Sequence, residues 1–291
     1  MSRPNPQPFG YYLGCPQWTH SEWRKSIYPT HDRARDHLYH YAQAFNIVEG
    51  NTTFYAWPST DAVARWADVV PEHFRFLFKF PQEVTHEHGL EGAALEIACR
   101  FIEHLSPLGE RRGPLFIQLP AHFTHSRLPI LHRFLSQLPR PNDLVVELRD
   151  PVLCEGRGLE EVNSLLASVE VERAWMDTRP LRAASPPFNE ATQLALIRKP
   201  NLPVYPIGLG PNPVIRYVAH PRVDDNLTWI KQWALVFARW IEEGRAPFFF
   251  AHYPGETLAP QVAALFHSEL SRLISLPPRP IWPSETQPSL F

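Results

Sequence analysis

Several short apolar runs of this sequence end on side chains able to hold or move charge: Glu49 and Asn51, Lys79, Gln118, Glu147 and Arg149, Asp177, Arg216, and His252. Lys79, Arg149 and Arg216 suit a carboxylate or phosphate, because guanidinium forks grip planar and tetrahedral oxyanions and an ammonium adds a point charge. Glu147 and Asp177 are the expected general acid and base, provided burial and cationic neighbours separate their affinities for protons. Aromatic residues follow the first two runs: Trp18, Trp23, Tyr28, Phe54, Tyr55 and Trp57. They either pack long loops or form a platform for a sugar ring or base. A divalent metal on Glu49, Glu147, Asp177, His86 and His252 is the weaker reading, since the neighbouring cations repel it and no HxH or HExxH sits on a helix. His86 and His88 in "THEHG" read as polar turn residues, and no cofactor is expected. Cys15, Cys99 and Cys154 are too few and scattered for a disulfide framework and read as reduced thiols.

The elements that must position these residues alternate along the chain. Eight runs of four to eight apolar residues, near Tyr12, Val48, Phe78, Ile117, Val146, Trp175, Tyr217 and Phe249, are each bounded by Gly, Pro, Asn or Asp. That is the pattern of strands buried on both faces. Between them lie amphipathic stretches. Residues 92–109 carry Leu95, Ala98, Phe101, Ile102, Leu105 and Leu108 at spacings of three and four, and residues 227–243 repeat the pattern, stopping at Gly244. Shorter helical candidates follow residues 60, 127, 158 and 257. Eight strand-helix units in 291 residues predict a single (β/α)8 barrel over residues 10–276, with a flexible segment 1–9 before it and a Pro-rich tail 277–291 after it. The weakest unit joins strands six and seven, a long Pro-rich connection only partly helical. In a barrel the chemistry sits where strands end, so the polar residues above are expected to converge on one mouth.

Composition narrows the partners. A formal net charge of -2 gives no overall positive field for DNA, RNA or an acidic membrane. No run approaches the roughly 20 apolar residues of a membrane span, and the start lacks the apolar core of a signal peptide, which together predict a cytoplasmic protein. No glycine-rich phosphate loop follows the first strand.

The segments "GCPQWTHSEWRKSIYP", "FNIVEGNTTFYAWP", "FRFLFKFPQEVTH", "GPLFIQLP" and "VVELRD", with the later Asp177 and Arg216, resemble the successive motifs of the YecE-like family, a TIM-barrel domain of unknown function. The resemblance runs from about residue 10 to 270. It implies a barrel in a bacterial-type cytoplasmic protein, with site residues at Glu49, Asn51, Tyr55, Lys79, His86, Gln118, Glu147, Arg149, Asp177 and Arg216. It implies no reaction. The chain departs from the family pattern at strand seven, which reads "IRYVAHP" where an Arg is commonly followed by His-Gly, and at strand eight, where "FFAHYPGE" replaces paired asparagines.

The chain ends "QPSLF", which resembles the short peptide by which bacterial replication and repair proteins dock on the DNA sliding clamp, with Gln287 at the pocket rim and Leu290 and Phe291 as apolar anchors. Two functions are therefore expected as alternatives. One is an enzyme running acid-base chemistry with Glu147, Asp177 and Lys79 on an anionic or sugar-like small molecule, held by Glu49, Asn51, Tyr55, His86, Gln118, Arg149, Arg216, His252 and Trp18. The other is a DNA-maintenance protein tethered by its tail.

Overall fold

The computed structural model describes residues 10–29, 31–139, 144–278 and 282. Eight strands form one parallel sheet: β1 (Tyr12–Gly14), β2 (Ile47–Gly50), β3 (Arg75–Lys79), β4 (Arg112–Gln118), β5 (Leu144–Glu147), β6 (Glu172–Asp177), β7 (Val214–Val218) and β8 (Phe248–His252). All eight coincide with the apolar runs of the sequence. The helices between them are α1 (His37–Ala44), α2 (Thr60–Val69), α3 (Ala94–His104), α4 (Leu128–Gln137), α5 (Gly156–Ser168), α6 (Arg179–Arg182), α7 (Glu190–Arg198), α8 (Leu227–Glu242) and α9 (Ala259–Ser271). Local chemistry starts several of them. Ser59 caps α2 by accepting from the Ala62 amide at 3.2 Å, and Asn189 caps α7 by accepting from Thr192 at 2.8 Å. The expected helix over 92–109 stops at His104 and continues as tighter turns, because Pro107 and Gly109 cannot extend it.

Strand pairing runs continuously from β2 through β3 to β8 and on to β1, so the sheet is nearly closed. The seam between β1 and β2 is bridged mainly by side chains. Asn46 accepts from the Leu13 amide at 2.7 Å and donates to the Tyr11 carbonyl at 2.8 Å, standing in for a strand partner. The Tyr41 hydroxyl accepts from the Cys15 amide at 2.7 Å and donates to the Ile47 carbonyl at 2.9 Å, while the Glu49 amide reaches the Cys15 carbonyl at 3.1 Å. Gly14 is required here, because a Cβ would stand 2.1 Å from the Ile47 carbonyl oxygen.

Alternation along each strand sorts side chains into two cores. Tyr12, Ile47, Leu77, Phe116, Val145, Ala174, Val214, Phe248 and Phe250 plug the barrel interior. The neighbouring positions pack outward into the larger sheet-helix core, whose buried aromatic residues include Phe76, Phe78, Tyr217, Phe237, Phe249 and Phe266. Trp282 returns from the tail to lie against Phe45 and is 5% exposed. Gln287, Leu290 and Phe291, the expected clamp anchors, lie outside the described residues. Among the described residues no helix is long and apolar enough to cross a membrane.

If the side-chain seam holds the barrel shut, Asn46→Ala removes the side-chain partner of the buried Leu13 amide and one hydrogen bond to the Tyr11 carbonyl. It is expected to cost about 2–4 kcal/mol, read as a lowered urea midpoint, whereas an unchanged midpoint would show that the seam carries no stability.

Candidate functional site

The plug of apolar residues forms a floor, and the next inward-facing residue of most strands is polar. Arg216 of β7 stands at the centre, 2% exposed. Its Nε donates to Glu49 Oε2 at 2.8 Å and its Nη2 to Glu49 Oε1 at 2.7 Å, a bidentate pair across the barrel to β2. Its Nη1 donates to Glu147 Oε2 on β5 at 2.5 Å. Arg149 takes the other oxygen of Glu147, Nε to Oε1 at 2.7 Å, and its Nη2 donates to Gln118 Oε1 at 2.9 Å. The same Gln118 oxygen accepts from Lys79 Nζ at 2.9 Å, and Lys79 Nζ is 3.7 Å from Glu49 Oε1. Phe116 lies 5.5 Å from Lys79 Nζ and 5.3 Å from the Arg216 guanidinium carbon, so its ring supports both cations. His252 of β8 closes the ring, Nε2 3.3 Å from Glu49 Oε2 and Nδ1 3.5 Å from Glu256 Oε1.

Electrostatics follow from this packing. Burial pushes Glu147 up, but the guanidinium groups of Arg216 and Arg149 outweigh it and bring it down to about 2. Burial likewise acts against ionised Glu49, and Arg216, His252 and Lys79 hold it well below the ordinary carboxylate range. For Lys79, burial and then Arg216 lower the ammonium to about 7, against the opposing pull of Glu49 and Glu147. Both carboxylates are therefore held as anions, while burial lowers the ammonium of Lys79 and also that of Lys199 on the cavity wall.

Above this cluster opens a cavity of about 490 Å³, bordered by Asn51, Tyr55, Lys79, Arg149, Lys199 and Glu256, with Gln118, Arg216 and His252 also reaching its wall. Seven residues expected at the mouth thus converge as charged and hydrogen-bonded neighbours: Glu49, Lys79, Gln118, Glu147, Arg149, Arg216 and His252. Asn51 and Tyr55 join the wall, Asn51 donating to the Pro16 carbonyl at 2.9 Å with its buried Oδ1 left without a hydrogen-bond partner. His86 stands beside this wall, its ring edge-on to Phe54 at 5.0 Å and its Nδ1 2.8 Å from the Thr85 hydroxyl.

Two expected residues are not brought to the mouth. Asp177 is the register partner of Tyr217, one residue beyond the Met176–Arg216 pair. Because Arg216 faces inward, Asp177 faces the helices, where Arg179 grips both its oxygens at 2.9 and 2.7 Å and Trp233 Nε1 donates at 2.8 Å. It is fully buried and locks β6 to α6 and α8, so a proton-transfer role with Glu147 has no geometric basis. Trp18 packs edge-on against Trp66 and Phe76 in the outer core instead of forming a platform. Among the described residues, no three His, Cys, Asp or Glu side chains gather into a metal-binding group.

The cavity also holds residues that strand-end reasoning missed. Arg198 and Lys199 end α7, in the connection between β6 and β7 whose Pro-rich sequence concealed its position. Glu256 follows β8 in a tight turn, with φ at +61°. Its carbonyl accepts from Trp23 Nε1 at 2.8 Å, and the neighbouring Gly255 carbonyl lies 3.0 Å from His20 Nε2. "YPGE" signals a turn, but only the fold aims it at the mouth.

Comparison with known proteins places this architecture. The family described as "Protein of unknown function DUF72" matches residues 12–285. The chain belongs to this family. It is 33% identical over 264 residues to the UPF0759 protein YecE of Escherichia coli K12, covering 90% of this chain and 93% of that protein, and equally so to YecE of E. coli O157:H7. Two crystal structures of the family share the fold. One, from Enterococcus faecalis, covers 93% of this chain and 99% of its own at a TM-score of 0.68 and 16% identity. The other, from Thermotoga maritima, covers 90% and 99% at 0.67 and 19% identity.

The lock on the carboxylates makes a pH prediction. Glu147 binds its proton less readily in the fold than at the ordinary carboxylate value of 4.5, so its contribution to stability is present above about pH 4.5 and is lost as pH falls toward 2. Arg216→Met should cost about 3–5 kcal/mol at pH 7 by leaving two buried carboxylates without their shared cation. The acid dependence should also change, because the two carboxylates, left with Arg149 on Glu147 and with Lys79 and His252 facing Glu49, then take up protons at higher pH. Urea midpoints measured from pH 7 to 2 check both, and parallel profiles for the two proteins would refute the lock.

Proposed function

We propose that this chain is an enzyme that binds an anionic small molecule at the barrel mouth and transfers protons to or from it with Lys79. The observation that carries this reading is the charge balance around the cavity. Lys79, Arg149, Arg198, Lys199 and Arg216 outnumber Glu49, Glu147 and Glu256, and the two buried carboxylates are already engaged by Arg216 and Arg149. Positive charge in excess of its internal partners, in a concave site, recruits an anion. Arg149 and Lys199 supply the charge on the cavity wall, and exposed Tyr55 offers an apolar ring to the remainder of the ligand.

Lys79 replaces Glu147 as the proton carrier. An acid-base group works best when its proton affinity lies near the working pH, which Lys79 meets and Glu147, held at about 2, does not. Glu147 instead orients Arg149 and Arg216. A carbonyl, hydroxyl or acidic C–H placed over Lys79 would be within reach of a base at the floor while its anionic group rests on the wall.

Sulfate is a suitable probe because its charge is constant across the pH range of interest. Isothermal titration calorimetry should detect binding that Arg149→Met weakens by about tenfold or more. Affinity should fall as pH rises through about 7, where Lys79 loses its charge, and binding near that pH should take up a proton. Sulfate affinity indifferent to both the substitution and the pH would overturn the reading.

A further inference from the structure

Lysine is scarce in this chain. Lysine and arginine together number 28, and four of these are lysine: Lys25, Lys79, Lys199 and Lys231. Two of the four, Lys79 and Lys199, border the same cavity. Nearly every other need for positive charge is met by guanidinium, including the central Arg216. An amine differs from a guanidinium in one chemically decisive way: it can lose its proton near neutral pH and attack an electrophile.

The surroundings of Lys79 suit that use. Its Nζ lies at the cavity floor over the Phe116 ring, desolvated on its underside. Its bond to Gln118 Oε1 at 2.9 Å is one that an uncharged amine donates as well as an ammonium does, so deprotonation need not disturb its position. The nearest carboxylate, Glu49 at 3.7 Å, is held by two bonds from Arg216 and stays an anion. Arg149 shares the Gln118 oxygen, which places a second cation beside the amine. Burial, then Arg216 and Arg149, lower the Lys79 ammonium to about 7 against the pull of Glu49 and Glu147.

We infer that Lys79 is a nucleophile that condenses with the carbonyl group of an anionic aldehyde, ketone or oxo acid to form an imine, while Arg149 and Lys199 hold the substrate's anionic group. The inference rests on the anion-binding reading above and names its substrate class. In the step, the lone pair of neutral Nζ forms a bond to the carbonyl carbon, and the C–O π pair moves to oxygen, which takes a proton. After the nitrogen loses one proton, the hydroxyl takes another and leaves as water, and the nitrogen lone pair closes the C=N bond. The C=N bond so formed already carries the remaining N–H proton, so amine, carbonyl and one proton give a protonated imine and water. Solvent reaching the open cavity supplies and accepts these protons.

Pyridoxal 5′-phosphate tests this directly, being an aldehyde with a phosphate. Full-length protein at about pH 7.5 is mixed with it, reduced with borohydride, digested and mapped by mass spectrometry. The expected result is a reduced adduct on the Lys79 peptide that forms at least about tenfold faster than on the Lys231 peptide, and that sulfate slows. Lys79→Arg should lose that adduct. Adducts on Lys25, Lys199 or Lys231 without one on Lys79 would overturn the imine, and if sulfate still binds, the anion site stands without it. An adduct on Lys79 that sulfate neither slows nor accompanies by binding would keep the nucleophile and overturn the anion reading.

Discussion

The upper half of this barrel depends on one buried guanidinium. Arg216 reaches Glu49 on β2 and Glu147 on β5 from β7, so three strands that are not neighbours are joined through a single side chain. Removing ions from water costs several kcal/mol each, and only near-ideal geometry with further hydrogen bonds offsets it. The bidentate pair to Glu49 and the sharing of Glu147 with Arg149 supply that geometry. An aliphatic filling would close the barrel top at less electrostatic cost.

The same arrangement distributes the roles. A carboxylate whose two oxygens are both engaged by guanidinium groups is a structural anion, and this describes Glu49 and Glu147 alike. The positive field they neutralise only in part then acts on Lys79, which shares a hydrogen-bond acceptor with Arg149 and lies beside Glu49 without a short bond to it. His252 extends the network from Glu49 toward Glu256 at the cavity wall.

Closure of the barrel and shaping of the mouth draw on the same loops. Tyr41 and Asn46 close the β1–β2 seam from just before β2, and the segment after β1 carries His20 and Trp23, which hold the turn bearing Glu256. The cavity wall is therefore braced where the sheet lacks a continuous ladder. Packing by aromatic residues, such as Trp18 against Trp66 and Phe76, supports that brace from the outer core and accounts for part of the aromatic richness of the early loops.

Much of this was legible in the amino-acid order. Apolar runs bounded by turn residues marked all eight strands, since burial on both faces leaves no alternative use for such segments. Polar residues ending those runs marked Glu49, Lys79, Gln118, Glu147, Arg149, Arg216 and His252, because a desolvated charge is retained only where something holds it. The low lysine count was also in plain view, though its meaning required knowing which lysines meet. Asp177 looked equivalent to the others, but strand sequence does not state which parity faces inward, and the register beside Tyr217 turned it to the helices. Arg198, Lys199 and Glu256 stand on connections whose paths are set by long-range packing, so no local pattern could place them at the mouth. The sequence by itself determined the elements and the set of charged side chains. Which of them share protons, which are locked as ions and which leave the site was decided by tertiary structure, because those properties depend on distances between residues remote along the chain.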